Sequence, residues 1–214
     1  MICQARHFHL LFWGLHMNQY ASDIAFTPSV KAIQISKGSR ATYSRVEQGY
    51  GWQTEVSPEL EAYISGLDMF YLGTVNSTGQ PYIQYRGGSQ GFLKVIDQKT
   101  LGFADFGGNR QYITLGNLAE NPKAFLFLMD YKNSRRIKVW GTARVVEDDE
   151  ELMNRLHDPQ YPAKPERVIL FTIEAWDMNC HQHIHKRFSR NDILPVIEKL
   201  QAENQILKDK LGQK

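Results

Sequence analysis

The stretch Arg136-Ile137-Lys138-Val139-Trp140-Gly141-Thr142-Ala143-Arg144-Val145 alternates more cleanly than any other part of the chain. Ile137, Val139, Gly141, Ala143 and Val145 share one face of an extended strand, and Arg136, Lys138, Trp140, Thr142 and Arg144 share the other. The first face belongs in a core. The second is basic and aromatic, which suits a solvated edge or a surface that meets a ligand. Before this strand, residues 124–129 read as its hairpin partner across a turn at 131–134. Residues 69–75 and 82–85 flank Asn76-Ser77-Thr78-Gly79, which is turn chemistry, and 92–96 and 101–104 flank Asp97-Gln98-Lys99-Thr100. Six strands at short spacing predict a mainly β, α+β fold built on an antiparallel barrel. A further strand at 167–176 follows a Pro-rich loop at 158–165, and it can pair with the barrel or with a partner chain. Its run Val168-Ile169-Leu170-Phe171 is apolar on both faces.

Helices flank this β region. Ser57-Pro58-Glu59 places an N-cap, a first-turn proline and an acid at the positive end of a helix that should run to about Gly66. Residues 17–54 are mixed and turn-rich, punctuated by Lys37-Gly38-Ser39-Arg40 and Gly49-Tyr50-Gly51, and they read as a wrapping arm without sustained periodicity. From Asp192 onward, Ile193, Leu200 and Leu207 occupy heptad d positions, and Ile197, Asn204 and Leu211 occupy a positions. Asn204 at an a position favours a paired, in-register coil. Alternatively the helix lies on its own barrel, with Leu194 and Ile206 broadening its apolar stripe. The expected organisation is an extension at 1–16, an arm at 17–56, a barrel domain at 57–190 and a heptad helix at 191–214.

A chain of 214 residues, 42% hydrophobic and 12% aromatic, can bury one sizeable core. Its 25 basic and 23 acidic residues nearly cancel, so the totals call for neither a nucleic acid nor an anionic membrane. Any anion site must be local. With two cysteines, Cys3 and Cys180, a disulfide framework is not expected, and the chain reads as cytoplasmic. Residues 1–16, MICQARHFHLLFWGLH, hold an apolar stretch at 10–15 that is too short to span a bilayer and has no small-residue cleavage site behind it. They read as an extension outside the fold, with Met17 as a natural start; the alternative is a targeting tail.

Chemistry concentrates at 86–117. Arg86-Gly87-Gly88-Ser89-Gln90-Gly91-Phe92-Leu93-Lys94 sets two cations around a glycine-rich bend, where backbone can approach a ligand closely. Ala104-Asp105-Phe106-Gly107-Gly108-Asn109-Arg110 then leads from a strand into a helical stretch at 111–119, with Asn109 as the expected N-cap. A helix start beside Arg110 suits an anion, and the two features together suit a phosphate. Taken alone, a glycine turn before a helix is often only a turn. The glycines make neither G-x-G-x-x-G nor G-x-x-x-x-G-K-[ST], which argues against the usual nucleotide folds.

From about Asp68 to Arg144 the chain resembles the pyridoxamine 5'-phosphate oxidase-like split-barrel family of FMN-binding proteins. The resemblance rests on Leu72-Gly73-Thr74-Val75, Gly79-Gln80-Pro81, Phe92-Leu93-Lys94, Gly108-Asn109-Arg110, Asn117-Leu118-Ala119-Glu120-Asn121-Pro122 and the strand from Arg136 to Gly141. It implies a six-stranded split barrel, FMN as cofactor, and a homodimer with two FMN molecules at the subunit interface. It also implies that Arg86 and Lys94 approach the flavin and its phosphate, and that Asn109 and Arg110 bind the phosphate. Ala104 and Asp105 would lie beside the flavin ring, and Arg136 would reach it. Trp176 and Arg187 resemble positions that reach the other subunit's flavin, with His183 close by. One departure bears on the substrate: the oxidase proper has an Arg-x-His pair near its C-terminus, whereas this chain has His183-Ile184-His185 and keeps only the His, at His185. The substrate is therefore an unassigned small molecule.

Cys180-His181-Gln182-His183-Ile184-His185 offers a rival, since alternate histidines share a face and imidazole with thiolate suits a transition metal. No second ligand cluster closes such a site in the sequence. Three functions follow from these residues: an FMN-dependent oxidoreductase, a non-enzymatic flavin-binding, storage or sensor protein, and a metal-binding protein.

Overall fold

The computed structural model describes residues 19–179 and 182–212. The expected extension at 1–16, the start at Met17, and Cys180 and His181 of the histidine run lie outside the described residues. Two compact units meet in sequence between Gly51 and Trp52.

The first unit differs from the expected irregular arm. A 3-10 turn, Ala21–Ile24, precedes helices α1, Pro28–Ser36, and α2, Arg40–Gln48. Thr27 caps α1 by accepting a hydrogen bond from the Val30 amide at 3.3 Å. The interior here is polar. Glu47, 7% exposed, pairs with Arg40 and accepts from Ser22 Oγ at 3.4 Å, while Arg40 Nη1 also donates to Gln34 Oε1 at 2.9 Å. A helical hairpin organised around a buried acid and its half-buried arginine places polar groups where an apolar stripe would otherwise face inward, so hydrophobic periodicity does not announce it.

In the second unit, α3, Pro58–Ser65, begins as expected: Ser57 Oγ accepts from the Leu60 amide at 3.2 Å, and Gly66 follows the last turn. The order continues with β1 (Met69–Val75), β2 (Pro81–Gly87), β3 (Lys94–Val95), β4 (Thr100–Phe106), α4 (Ile113–Glu120), β5 (Lys123–Asp130), β6 (Arg135–Val146), α5 (Glu150–Leu156), β7 (Pro165–Asn179) and α6 (Arg190–Gly212). The described residues form one seven-stranded sheet, ordered β2-β1-β5-β6-β7-β4-β3, with every neighbouring pair antiparallel. This is a mainly β, α+β fold.

The strand count is a correction, seven where six were expected. β7 pairs with both β6 and β4 in this chain, so it joins the two halves of the sheet. Ile169 and Phe171 face the main core, while Val168 and Leu170 face a smaller cluster with Leu156 of α5, so both faces of this strand are covered. β6 alternates as its sequence reads, with Ile137, Val139, Gly141 and Ala143 buried and Lys138, Trp140 and Thr142 half-buried. The main core joins these to Phe70, Leu72, Phe103, Leu126 and Leu128, and α3 closes it with Leu60 and Ile64.

The N-cap expected at Asn109 is also corrected. α4 starts after Tyr112, which has φ +56° and no side-chain cap, and Asn109 Oδ1 instead accepts from the Gln111 amide at 3.2 Å within the preceding turn. None of the described helices is long and apolar enough to cross a membrane.

Asp192 ties the start of α6 to the β5–β6 turn. Lys132 Nζ lies 2.5 Å from its carboxylate, and Ser189 donates to it through Oγ at 2.7 Å and through its amide at 2.9 Å. The Lys132 hydrogen bond, then those from Ser189, pull the carboxyl from 3.8 down to about 2. Because the folded value is depressed, the tether's contribution is present above pH 3.8 and is lost as pH falls through about 2. A carboxyl-detected NMR titration should find the Asp192 midpoint near 2, moving back toward 3.8 in Lys132→Ala.

Candidate functional site

A cleft of about 220 Å³ opens between β2, the end of β4, the loop 107–112, the first turn of α4 and the start of β7. Asp105 organises it. The carboxylate is 3% exposed and sits where the β4–β7 register shifts, so its side chain turns from ladder to cleft. Arg86 Nη1 donates to Asp105 Oδ1, and Arg167 Nη1 donates to Oδ2 at 3.3 Å. Arg167 also donates through Nε to Glu147 at 3.1 Å and through Nη2 to Glu166 at 2.9 Å, and its guanidinium lies over the Tyr112 ring at 5.7 Å. Burial opposes its charge, but Asp105 and Glu166 outweigh that and hold Arg167 above the ordinary arginine range. The buried Nε of Arg86 has no hydrogen-bond partner among the described residues.

The loop is built to expose backbone and a cation together. Arg110 and Tyr112 both have positive φ, +58° and +56°, a conformation that costs non-glycine residues roughly 1–2 kcal/mol each. Such strain collects at ligand-binding loops. A Cβ on Gly108 would meet nothing within 4 Å, so the backbone there is open to approach, and Arg110 is exposed. Thr114 Oγ1 donates to Gln84 Oε1 at 2.8 Å and Asn117 Nδ2 to Thr74 Oγ1 at 3.0 Å, which fastens α4 against β1 and β2 and fixes the cleft's far wall.

Of the residues singled out from sequence, Arg86, Asp105, Asn109 and Arg110 come together at this cleft, and Ala104 is buried on β4 next to Asp105. The others lie elsewhere. Lys94, on β3, directs Nζ to the Arg155 carbonyl at 3.4 Å. Arg136 lies on the half-buried face of β6, together with Lys138 and Trp140. Trp140 stacks on Trp52 at 4.6 Å, and Lys138 Nζ lies about 5 Å from both rings. Trp176 is in the core and spends its indole N–H on the Glu55 carbonyl at 2.7 Å. Arg187 lies over the Tyr131 ring at 4.8 Å in a second, wider cleft of about 820 Å³, and His183 is exposed in a turn with φ +63°. Among the described residues, no three His, Cys, Asp or Glu side chains gather as a metal site.

Sequence reading missed Arg167, Glu166, Tyr112 and Gln84. A charged pair opening an apolar strand, Glu166-Arg167, is the one local signal that could have pointed to the first two. Tyr112 in left-handed backbone leaves no such mark.

A seven-stranded antiparallel sheet curled over a main core, with an arginine-lined cleft at a strand-to-helix turn, defines the class. The pyridoxamine 5'-phosphate oxidase family model matches residues 56–180, more than half of the chain, and the chain belongs to that family. Solved structures with a similar fold include HupZ of Group A Streptococcus, 18% identical, covering 62% of this chain and 99% of that one, with TM-score 0.48. An FMN-binding protein of Syntrophomonas wolfei is 16% identical, with 68% and 97% covered and TM-score 0.45. HutZ, a heme storage protein of Vibrio cholerae, is 16% identical, with 55% and 89% covered and TM-score 0.38. No curated protein matches in sequence.

Proposed function

We propose that this chain binds FMN through its phosphate in the Asp105 cleft and serves as an FMN-dependent oxidoreductase of a small molecule, working as a cytoplasmic homodimer. Asp105 carries the proposal: one buried carboxylate holds two guanidiniums at the rim of a turn whose backbone and Arg110 are exposed. The residues fit the anionic end of the cofactor, since three arginines line the cleft against two acids, Asp105 and Glu166, and a buried donor of Arg86 has no protein partner among the described residues. At about 220 Å³ the cleft falls below the ~300–1,000 Å³ of pockets that enclose a whole drug-sized ligand. It suits the phosphoryl end, and a second copy of the chain would supply the remaining wall.

Bound FMN supplies the redox chemistry of its ring. Arg86 and Arg110 neutralise the phosphate, Asn109 shapes the turn that presents Arg110, and Asp105 with Glu166 sets the direction of Arg167. Ala104 and Asp105 would provide the strand backbone that faces the rest of the cofactor. Arg187 of a second copy would supply a cation to the same ligand, Arg136 would stabilise negative charge on it, and His183 would be available for proton exchange.

The absorption spectrum of the purified full chain tests the cofactor, with the chromophore then released and identified. Flavin bands and released FMN are expected; a haem band, or a colourless protein that FMN does not bind, would sink the proposal. Arg110→Gly separates binding from folding. Glycine accepts φ +58° without strain, so stability should hold or rise by up to about 1 kcal/mol. Loss of a charge-assisted contact worth ~1.5–3 kcal/mol should meanwhile weaken FMN binding roughly 10–100-fold in a fluorescence titration. Reduction of the bound flavin by NADH, NADPH or a reduced deazaflavin supports the oxidoreductase half; no reduction by any donor leaves a flavin-binding protein without turnover.

A further inference from the structure

α6 holds no buried residue along Arg190–Gly212, although it carries an apolar stripe interrupted only at Asn204. Ile197 is 42% exposed, Leu200 52%, Leu207 57% and Leu211 74%. The helix therefore does not lie on its own barrel, and its described ties to the sheet are at its start, where Asp192 meets Lys132. Pro195 removes the amide hydrogen that would close a helical bond to the Asn191 carbonyl, so the helix from Val196 onward is set apart from that tethered first turn. We infer that the segment from Val196 to Gly212 pairs with the same segment of a second copy of this chain as a parallel, in-register, two-stranded coil.

Composition along the seam selects this occupant. The layers Ile197, Leu200, Asn204, Leu207 and Leu211 alternate a and d positions, and Asn204 finds an equivalent hydrogen-bonding partner only when two copies run parallel with Asn204 against Asn204. Charge agrees. Glu203 stands at a g position and Lys208 at the e position of the next heptad, the two sites that face each other between strands of a parallel pair. Two-fold symmetry makes that attraction twice, Glu203 to the second copy's Lys208 and the reverse. Within one helix, among the described residues, Glu203 pairs with Lys199, at 4.0 Å. A membrane surface is a poorer partner, because acidic and basic residues balance along α6 where a lipid-binding helix would be rich in Lys and Arg. The pairing is independent of the flavin site, so failure of either leaves the other standing.

Disulfide trapping in the full chain tests it, with Cys3 and Cys180 replaced by Ser so that one introduced thiol reports. Leu200→Cys and Leu207→Cys, in the seam, should convert most of the chain to a covalent dimer under mild oxidation. Ala202→Cys, on the outer face, should leave it monomeric on a denaturing gel. Glu203→Lys should reduce trapping at position 200, and adding Lys208→Glu should restore it. Equal trapping at 200 and 202, no trapping at 200 and 207 while sedimentation still shows a dimer, or indifference to both charge changes would each overturn the inference. So would trapping of α6 to its own barrel or to anionic vesicles in place of a second copy.

Discussion

Gly141→Ala should lower folding stability by about 3 kcal/mol or more, at the top of the range for overpacking a core. At Gly141 the β6–β7 register shifts: Trp140 stands opposite Ala175 and Gly141 opposite Ile173, so Glu174 is an extra residue on β7. The bulge draws the two backbones together on the core side. A Cβ at 141 would lie 2.0 Å from the Thr172 carbonyl oxygen and 2.8 Å from the Phe171 ring. The first neighbour is backbone held in the ladder and cannot step aside as a side chain can. With about 2–4 °C per kcal/mol for a domain of this size, the thermal midpoint should fall by roughly 10 °C. Gly116 provides the opposite sign. It is exposed on α4, and a Cβ there would meet nothing within 4 Å, so Gly116→Ala should stabilise by ~0.5–1 kcal/mol through helix propensity. Equal midpoints for the two variants would show that the close approach at Gly141 does not exist.

Asp105→Ala should cost ~3–5 kcal/mol, as expected when one side of a buried charge pair is removed. Arg86 and Arg167, each 12% exposed at the side chain, would be left facing one another without the carboxylate between them. Arg167 keeps Glu147 and Glu166, whereas Asp105 is the ion-pair partner of Arg86 among the described residues. The loss should therefore fall mainly on the β2 side of the cleft. Urea unfolding measures the cost. An anion placed between the two guanidiniums should recover part of it, so inorganic phosphate or FMN should raise the midpoint of Asp105→Ala more than that of the parent chain. A variant as stable as the parent would remove Asp105 from the centre of the site. A destabilised variant that neither anion rescues would leave Asp105 structural and take the phosphate away from this cleft.

The barrel was legible because its signals are short-range. The alternation of β6, the Asn76–Gly79 turn and the Ser57-Pro58 helix start each act within a few residues, and each appears where it was expected. The helical hairpin before Gly51 was not legible, since Arg40 and Glu47 hold it through a buried polar contact that leaves no hydrophobic period. α5 lay in the same blind spot: Asp149 caps it by accepting from the Leu152 amide at 2.9 Å, but seven residues are too few to show a periodicity.

The site divides along the same line. Arg86 and Arg110 could be picked out because glycines and cations crowd one segment of the chain, whereas Asp105 was marked only by the family resemblance, as strand backbone and not as a buried carboxylate. Their association with Arg167 could not, because Asp105 is 19 residues from Arg86 and 62 from Arg167 in sequence. By itself the sequence determined where strands and turns fall and which face of β6 enters the core, and it pointed to 86–117 as the segment where glycines and cations gather. Only the tertiary structure decided that β7 pairs inside the chain, that Asp105 holds an arginine from each of two strands, and that the stripe on α6 is left uncovered. Periodicity and turn chemistry are properties of neighbours along the chain; charge pairing across strands and the exposure of a helix face exist only once the sheet has set distant segments side by side.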